Sequence, residues 1–136
     1  MRVFLDTNVI VSAVTTRGLC ADVFRTVLAE HELITSTRVL QEVRRILQVK
    51  FGISDELIVE YLELIQQDAV LAEVKNLPNL PIKDKDDIEI IAAAFSASAH
   101  VLVTGDREVQ SIKSFKTVRV ISPRAFWEEL TANQAL

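Results

Sequence analysis

The sequence predicts an α/β domain built on a parallel sheet. Three observations carry that expectation. Short apolar runs recur at Val3-Phe4-Leu5, Leu33-Ile34-Thr35, Val101-Leu102-Val103 and Val118-Arg119-Val120-Ile121, and runs of this length suit buried strands. Segments with helical spacing separate them. Strands alternating with helices form right-handed crossover units, and such units build parallel sheets.

Residues 2–5 open the chain as a short buried strand. Ala21, Val23, Phe24, Val27 and Leu28 recur at helical spacing, so a helix is expected over residues 19–30. Residues 33–35 form the second strand. Ser36 or Thr37 caps the next helix, whose apolar positions are Val39, Leu40, Val43, Ile46 and Leu47. Ser54 caps another, carrying Leu57, Ile58, Tyr61, Leu62 and Ile65. Residues 70–74 read as a short edge strand. Residues 76–85 hold Pro78 and Pro81 and form a loop. The helix expected over residues 87–98 is apolar on nearly every side, which calls for deep burial. Strands over residues 101–104 and 118–121 follow. Ser122-Pro123 then sets a capping residue before a proline suited to the first helical position. Phe126 and Trp127 on that last helix close the core.

The 136 residues suit one domain, expected over residues 1–130 with a C-terminal tail at 131–136. At 49% hydrophobic, the chain is too apolar for disorder. No apolar run is long enough to span a membrane, and residues 1–6 lack the apolar stretch of a signal peptide. Cys20 is the only cysteine, which excludes an intrachain disulfide or a cysteine-built metal centre. A cytoplasmic protein is expected. The net charge of −4 argues against broad, purely electrostatic nucleic-acid binding. It leaves room for a nuclease whose acidic site attracts phosphate once metal is bound.

In open parallel sheets, sites form beyond the carboxyl ends of the strands. Asp6 directly follows Val3-Phe4-Leu5, and Asp106 follows Val101-Leu102-Val103 through Thr104-Gly105. Between them lie Glu42 on a helix and Asp84, Asp86 and Asp87 at the start of another. Burying unpaired carboxylates is costly, and a divalent cation removes that cost. A donor set made only of hard oxygens suits Mg²⁺ or Mn²⁺. The cluster therefore reads as a metal-dependent centre that cleaves phosphodiesters, where two ions about 3.5–4 Å apart activate water and stabilise the leaving oxygen.

Each acid also has a plainer reading. Asp6 suits a helix N-cap, although Thr7 or Asn8 would cap equally well. Glu42 falls at the edge of the apolar stripe of Val39, Val43 and Ile46, with Arg38 and Arg45 on the same side. These three are either exposed ion pairs worth a few tenths of a kcal/mol, or a ligand with two arginines ready for phosphate. Acids before a helix complement its dipole. Asp86 is expected as the N-cap, Asp84 as a solvated loop charge, and Asp87 as the carboxylate aimed at the pocket. Glu89 stands behind it. Asp106 suits a tight turn after Gly105, and the Thr104 hydroxyl suits the task of orienting a carboxylate. Taken together, the acids favour the metal-site reading. His31 and His100 sit at element ends without partners in the motifs and are expected to be structural or solvated. No P-loop, dinucleotide-binding glycine pattern or nucleophile elbow is present.

These residues resemble the PIN domain family. The resemblance rests on Val3-Phe4-Leu5-Asp6-Thr7-Asn8-Val9, on Glu42, on Asp84-Lys85-Asp86-Asp87 followed by Ile91-Ala92-Ala93-Ala94, and on Val101-Leu102-Val103-Thr104-Gly105-Asp106. It runs from Arg2 to about Pro123. It implies a three-layer α/β/α sandwich around a parallel sheet and a Mg²⁺- or Mn²⁺-dependent ribonuclease. By residue match, Asp6, Glu42, Asp87 and Asp106 take the acidic catalytic and metal-binding positions, with Asn8 and Thr104 beside them. The chain is similar to the VapC-type toxins within that family. That similarity implies an RNA substrate, a small antitoxin partner, and a homodimer or higher homo-oligomer.

Other readings compete. An aspartate-nucleophile phosphatase needs a second aspartate at position 8, where Asn8 stands. A receiver domain needs a phosphoacceptor after a middle strand, where Ser36 stands. Within the PIN family, an RNA-processing nuclease that is not a toxin, or a degenerate module that binds without cutting, remains open.

Overall fold

The computed structural model describes residues 1–134. Strand β1 (Arg2–Leu5) leads into helix α1 (Thr7–Thr15), then α2 (Leu19–Glu30). Strand β2 (Glu32–Ser36) is followed by α3 (Thr37–Val49) and α4 (Asp55–Asp68), then β3 (Val70–Ala72). After an irregular stretch come α5 (Lys85–Ser96), β4 (Val101–Val103) and the short α6 (Arg107–Gln110). Strands β5 (Ser114–Phe115) and β6 (Val118–Ile121) and helix α7 (Pro123–Gln134) complete the described chain.

The six strands form one sheet in the order β3-β2-β1-β4-β6-β5. All neighbours are parallel except the β5–β6 pair at one edge. Val3, Phe4 and Leu5 are successive residues of β1 and all are fully buried. Side chains alternate across a strand, so both faces of the sheet are covered. The chain steps outward from β1 to β2 and β3, then returns to the other side of β1 for β4. Right-handed crossovers therefore put α1–α4 on one face and α5 on the other. This is the three-layer arrangement expected from the sequence. The reversal point falls between β1 and β4, where open α/β sheets place their ligands.

Local signals explain most of the elements. Ser36 accepts a hydrogen bond from Val39 N, and Ser54 accepts one from Leu57 N, so both act as N-caps of the helices they precede. Ser122 receives Ala125 N in the same way. Helix α5 buries Ile90, Ile91, Ala92, Ala93 and Ala94, and Phe126 of α7 is fully buried beside a partly buried Trp127.

Several expectations are corrected. Helix α5 starts and ends two residues before the expected span, because its N-cap is Asp84, which accepts from Asp86 N. Asp86 is not the cap, and Asp84 is not a free loop charge. The edge strand β3 stops at Ala72. Helices α1 and α6 and strand β5 lie outside the elements expected from the sequence. Residues 131–134, expected in a tail, continue α7, and residues 135 and 136 lie outside the described part. No helix among the described residues is long and apolar enough to cross a membrane.

Candidate active site

Asp6 sits at the carboxyl end of β1, in the switch between β1 and β4. Its backbone N donates to Val103 O at 2.9 Å, extending the parallel ladder by one residue. Its side chain then caps α1, accepting from Thr7 N at 2.7 Å. Asp6 thus takes the capping position that Thr7 or Asn8 could equally have filled. It is 5% exposed. Burial raises its carboxyl above the ordinary carboxylate value; hydrogen bonds from Thr104 and Thr7 pull the other way, and the charge of Asp106 adds to the rise.

The polar neighbours hold this carboxylate in place. Thr104, fully buried just after β4, donates to Asp6 Oδ2 at 2.8 Å. The Thr104 hydroxyl also accepts from Asp106 N at 3.1 Å. Asn8 on α1 donates weakly to Asp6 Oδ2 at 3.5 Å and accepts from Gly105 N at 2.9 Å. A Cβ at Gly105 would stand 3.2 Å from Asn8 Oδ1. Such a Cβ would make Asn8 give way by a few tenths of an ångström, so glycine suits the close approach; its φ lies outside the left-handed region.

A cleft of about 230 Å³ opens in front of Asp6, and Asn8, Arg38, Glu42, Asp86 and Asp87 share its walls. Asp87 comes from the first turn of α5. Burial lifts its carboxyl from 3.8 to about 6, reinforced by the charges of Asp106, Asp84, Asp6 and Glu108. Asp106 is not in the cleft wall. Its carboxylate caps α6, accepting from Glu108 N at 2.8 Å and Val109 N at 3.3 Å, yet its charge reaches both Asp6 and Asp87.

The arginines divide. Arg45 pairs with Glu42 at 3.2 Å, with its side chain 58% exposed, and stands outside the cleft wall. Arg38 does not pair with Glu42. It crosses from α3 to α5, with Nη1 3.2 Å from Asp86 Oδ1 and Nε 2.6 Å from Glu89 Oε2. Glu89 and Glu108 are the acids that sequence reasoning underused. Glu108 accepts from Lys83 N at 2.9 Å and so ties the loop before α5 to α6. Both histidines lie at the opposite end of the sheet. His100 accepts from Arg2 N at 2.9 Å, and His31 meets the Met1 amino group at 3.4 Å.

Among the described residues, no three Asp, Glu, His or Cys side chains converge closely enough to hold an ion as they stand. Asp6 and Asp106 instead direct carboxylate oxygens to the backbone N–H groups of the helices they cap. The donor chemistry nonetheless fits a hard cation. The donors are all oxygens, one is buried at the switch point, and burial together with neighbouring negative charge raises Asp87.

A mostly parallel sheet with helices on both faces and an acidic cleft at its switch point defines a class of α/β proteins with PIN-like architecture. The PIN domain model matches residues 2–108, and the chain belongs to the PIN domain family. No curated protein matches the chain. Solved structures share its fold. VapBC2 from Rickettsia felis, solved with a DNA fragment from its promoter, is 18% identical, with 90% of this chain and 98% of that chain covered at a TM-score of 0.63. VapBC-1 from nontypeable Haemophilus influenzae is 22% identical, with coverage of 91% and 99% and a TM-score of 0.60. VapC20 from Mycobacterium tuberculosis, a toxin that cleaves the sarcin-ricin loop, is 15% identical, with coverage of 86% and 98% and a TM-score of 0.61.

Proposed function

We propose that this PIN domain is a ribonuclease that hydrolyses RNA phosphodiester bonds with Mg²⁺ or Mn²⁺, and that it is the toxin of a toxin–antitoxin pair. One observation carries the reading: Asp6, Glu42 and Asp87, from three different elements, face one cleft at the switch point. Asp6, Glu42, Asp87 and Asp106 are the residues that would hold the cation. When bound, it supplies Lewis-acid activation of the phosphodiester.

The chain's own groups do the rest. Thr104 and Thr7 N fix the orientation of the Asp6 carboxylate. Asn8 joins α1 to the β4 turn and keeps Asp6 and Gly105 in register. Arg38, at the cleft wall, has two carboxylate partners and can exchange them for a phosphate, for which its planar fork is suited. Arg45 meets RNA further out. Asp86 supports the site by holding Arg38 at the wall.

Similarity to VapBC assemblies supports an antitoxin partner; we further infer that this antitoxin is small and that the protein works in the cytoplasm as a homodimer or higher homo-oligomer. An RNA-processing nuclease uses the same centre without being a toxin. A PIN module that binds without cutting would have little use for the four acids. Incubating purified protein with a generic RNA and Mn²⁺, then with excess EDTA, tests the activity. Cleavage that EDTA abolishes and Mn²⁺ restores is expected. Cleavage persisting in EDTA, at equal rate in Asp6→Asn, overturns the mechanism.

A further inference from the structure

The acidic cleft is open on one side. Asn8 and Ile46 line it, and both also line a second groove of about 360 Å³ between α1 and the end of α3. That volume falls in the roughly 300–1,000 Å³ range of small-ligand clefts. Ser12 and Thr15 form one wall, and Lys50 and Phe51 the other.

Phe51 is 49% exposed and has no place in the hydrophobic core. The backbone on both sides of it is hydrogen-bonded. Lys50 N donates to Ile46 O, Gly52 N to Gln48 O and Ile53 N to Leu47 O. Gly52 makes this possible with a φ of +60°, a left-handed value that glycine adopts without strain. The turn therefore presents an aromatic side chain, half exposed, outside the core. Lys50 forms no ion pair among the described residues.

A single exposed aromatic is ordinary, and a lysine at a helix C-terminus complements the dipole. Neither fact accounts for the two standing together along a groove that shares Asn8 and Ile46 with the acidic cleft. Single-stranded nucleic acids are held by aromatic faces for bases and positive charges for phosphates. This groove offers one of each, with the Ser12 and Thr15 hydroxyls opposite. A separate groove, walled by Val14, Leu57, Tyr61 and Leu64 with Glu60 beside them, carries no cation. It suits a protein far better.

Resting on the ribonuclease reading above, we propose that the α1–α3 groove is a nucleotide subsite for single-stranded RNA, in which Phe51 stacks a base and Lys50 pairs a phosphate next to the scissile position.

The test replaces Phe51 with a fluorescent reporter. Phe51→Trp is titrated with a short oligoadenylate in Ca²⁺, with the wild type and its Trp127 as the reference. Stacking should quench the added emission by about half while the wild type stays nearly constant. Phe51→Ala should raise KM for RNA roughly tenfold, as the loss of one base stack does, with kcat changed less than twofold. Lys50→Gln should weaken oligoadenylate binding and lower its salt slope by about one. Matching circular dichroism and Tm confirm that the variants fold. Unchanged Phe51→Trp emission at saturating oligoadenylate overturns the subsite, even if the wild type cuts RNA. Quenching in a protein that never cuts RNA sinks the nuclease reading and leaves the groove standing as an RNA site. If Phe51→Ala binds RNA normally but no longer retains a co-expressed protein inhibitor, the groove is a protein-docking surface and the proposal fails.

Discussion

The Thr104 hydroxyl donates to Asp6 Oδ2 at 2.8 Å, joining residues 98 positions apart across the β1–β4 junction. Both groups are buried. The contact therefore works where water does not compete, and it favours the ionised carboxylate that burial disfavours. Thr104→Val should leave that carboxylate short of a donor and destabilise the metal-free protein by about 1–3 kcal/mol at pH 7. Thr104→Ser should recover most of the loss. Urea unfolding of the three forms checks this, and equal midpoints for Val and Thr would remove the contact from the account.

Asp87 gives a pH test. Its carboxyl is raised from 3.8 to about 6 in the fold. The fold favours the protonated form, so this stabilising contribution is complete below about pH 3.8 and is lost as the pH rises through about 6. In EDTA, Asp87→Asn should melt a few degrees above the wild type at pH 7, and the gap should close toward pH 4. Tm measured against pH decides it. A constant gap across that range would show that repulsion and burial at Asp87 are not its cause.

Asp6→Asn keeps the shape of the side chain and should retain the fold while losing most RNA cleavage. Added Mn²⁺ should raise the wild-type Tm by mass action and raise that of Asp6→Asn much less. Full activity of the variant at limiting Mn²⁺ would remove Asp6 from the principal ligands.

Much of this arrangement was legible in the sequence, because strands and long helices announce themselves over short distances. Val3-Phe4-Leu5 and Val101-Leu102-Val103 mark neighbouring strands, and the acids after them mark their ends. Other features depended on distances that no local pattern contains. Arg38 looks like a partner of Glu42 on a helical wheel, but α5 packs close enough to offer Asp86 and Glu89 instead. Three aspartates in four residues compete for one cap, and only the backbone path selects Asp84. Val9-Ile10-Val11 is β-branched and carries little helical signal, so α1 depends on its Asp6 cap and its packing. Helix α6 has four residues and β5 two, too few for a period to register.

The two arginines should separate in binding experiments. Arg38→Gln should weaken RNA affinity several-fold and reduce the salt slope, because this guanidinium stands in the cleft wall. Arg45→Gln should do less, and both should change stability by under about 1 kcal/mol, as exposed ion pairs do. Anisotropy titrations at several salt concentrations check the ranking. Equal losses for both would mean that RNA follows α3 outward from the cleft.

Toxicity is a further expectation. Expression of the wild type should slow growth, and equally abundant, folded Asp87→Asn should not. If the two inhibit growth alike, nuclease toxicity through Asp87 is wrong. If neither inhibits growth although the wild type cuts RNA, the toxin assignment falls and the nuclease assignment stays.

The irregular stretch between β3 and α5 divides the acids two and two. Asp6 and Glu42 precede it, while Asp87 and Asp106 follow it. A chain cut there yields two pieces whose exposed edges are β1 and β4, the strands that pair across the site. Neither piece alone owns a centre. Only pairing of β1 with β4 would bring the four acids back to one sheet, so activity of a split form would report reassembly.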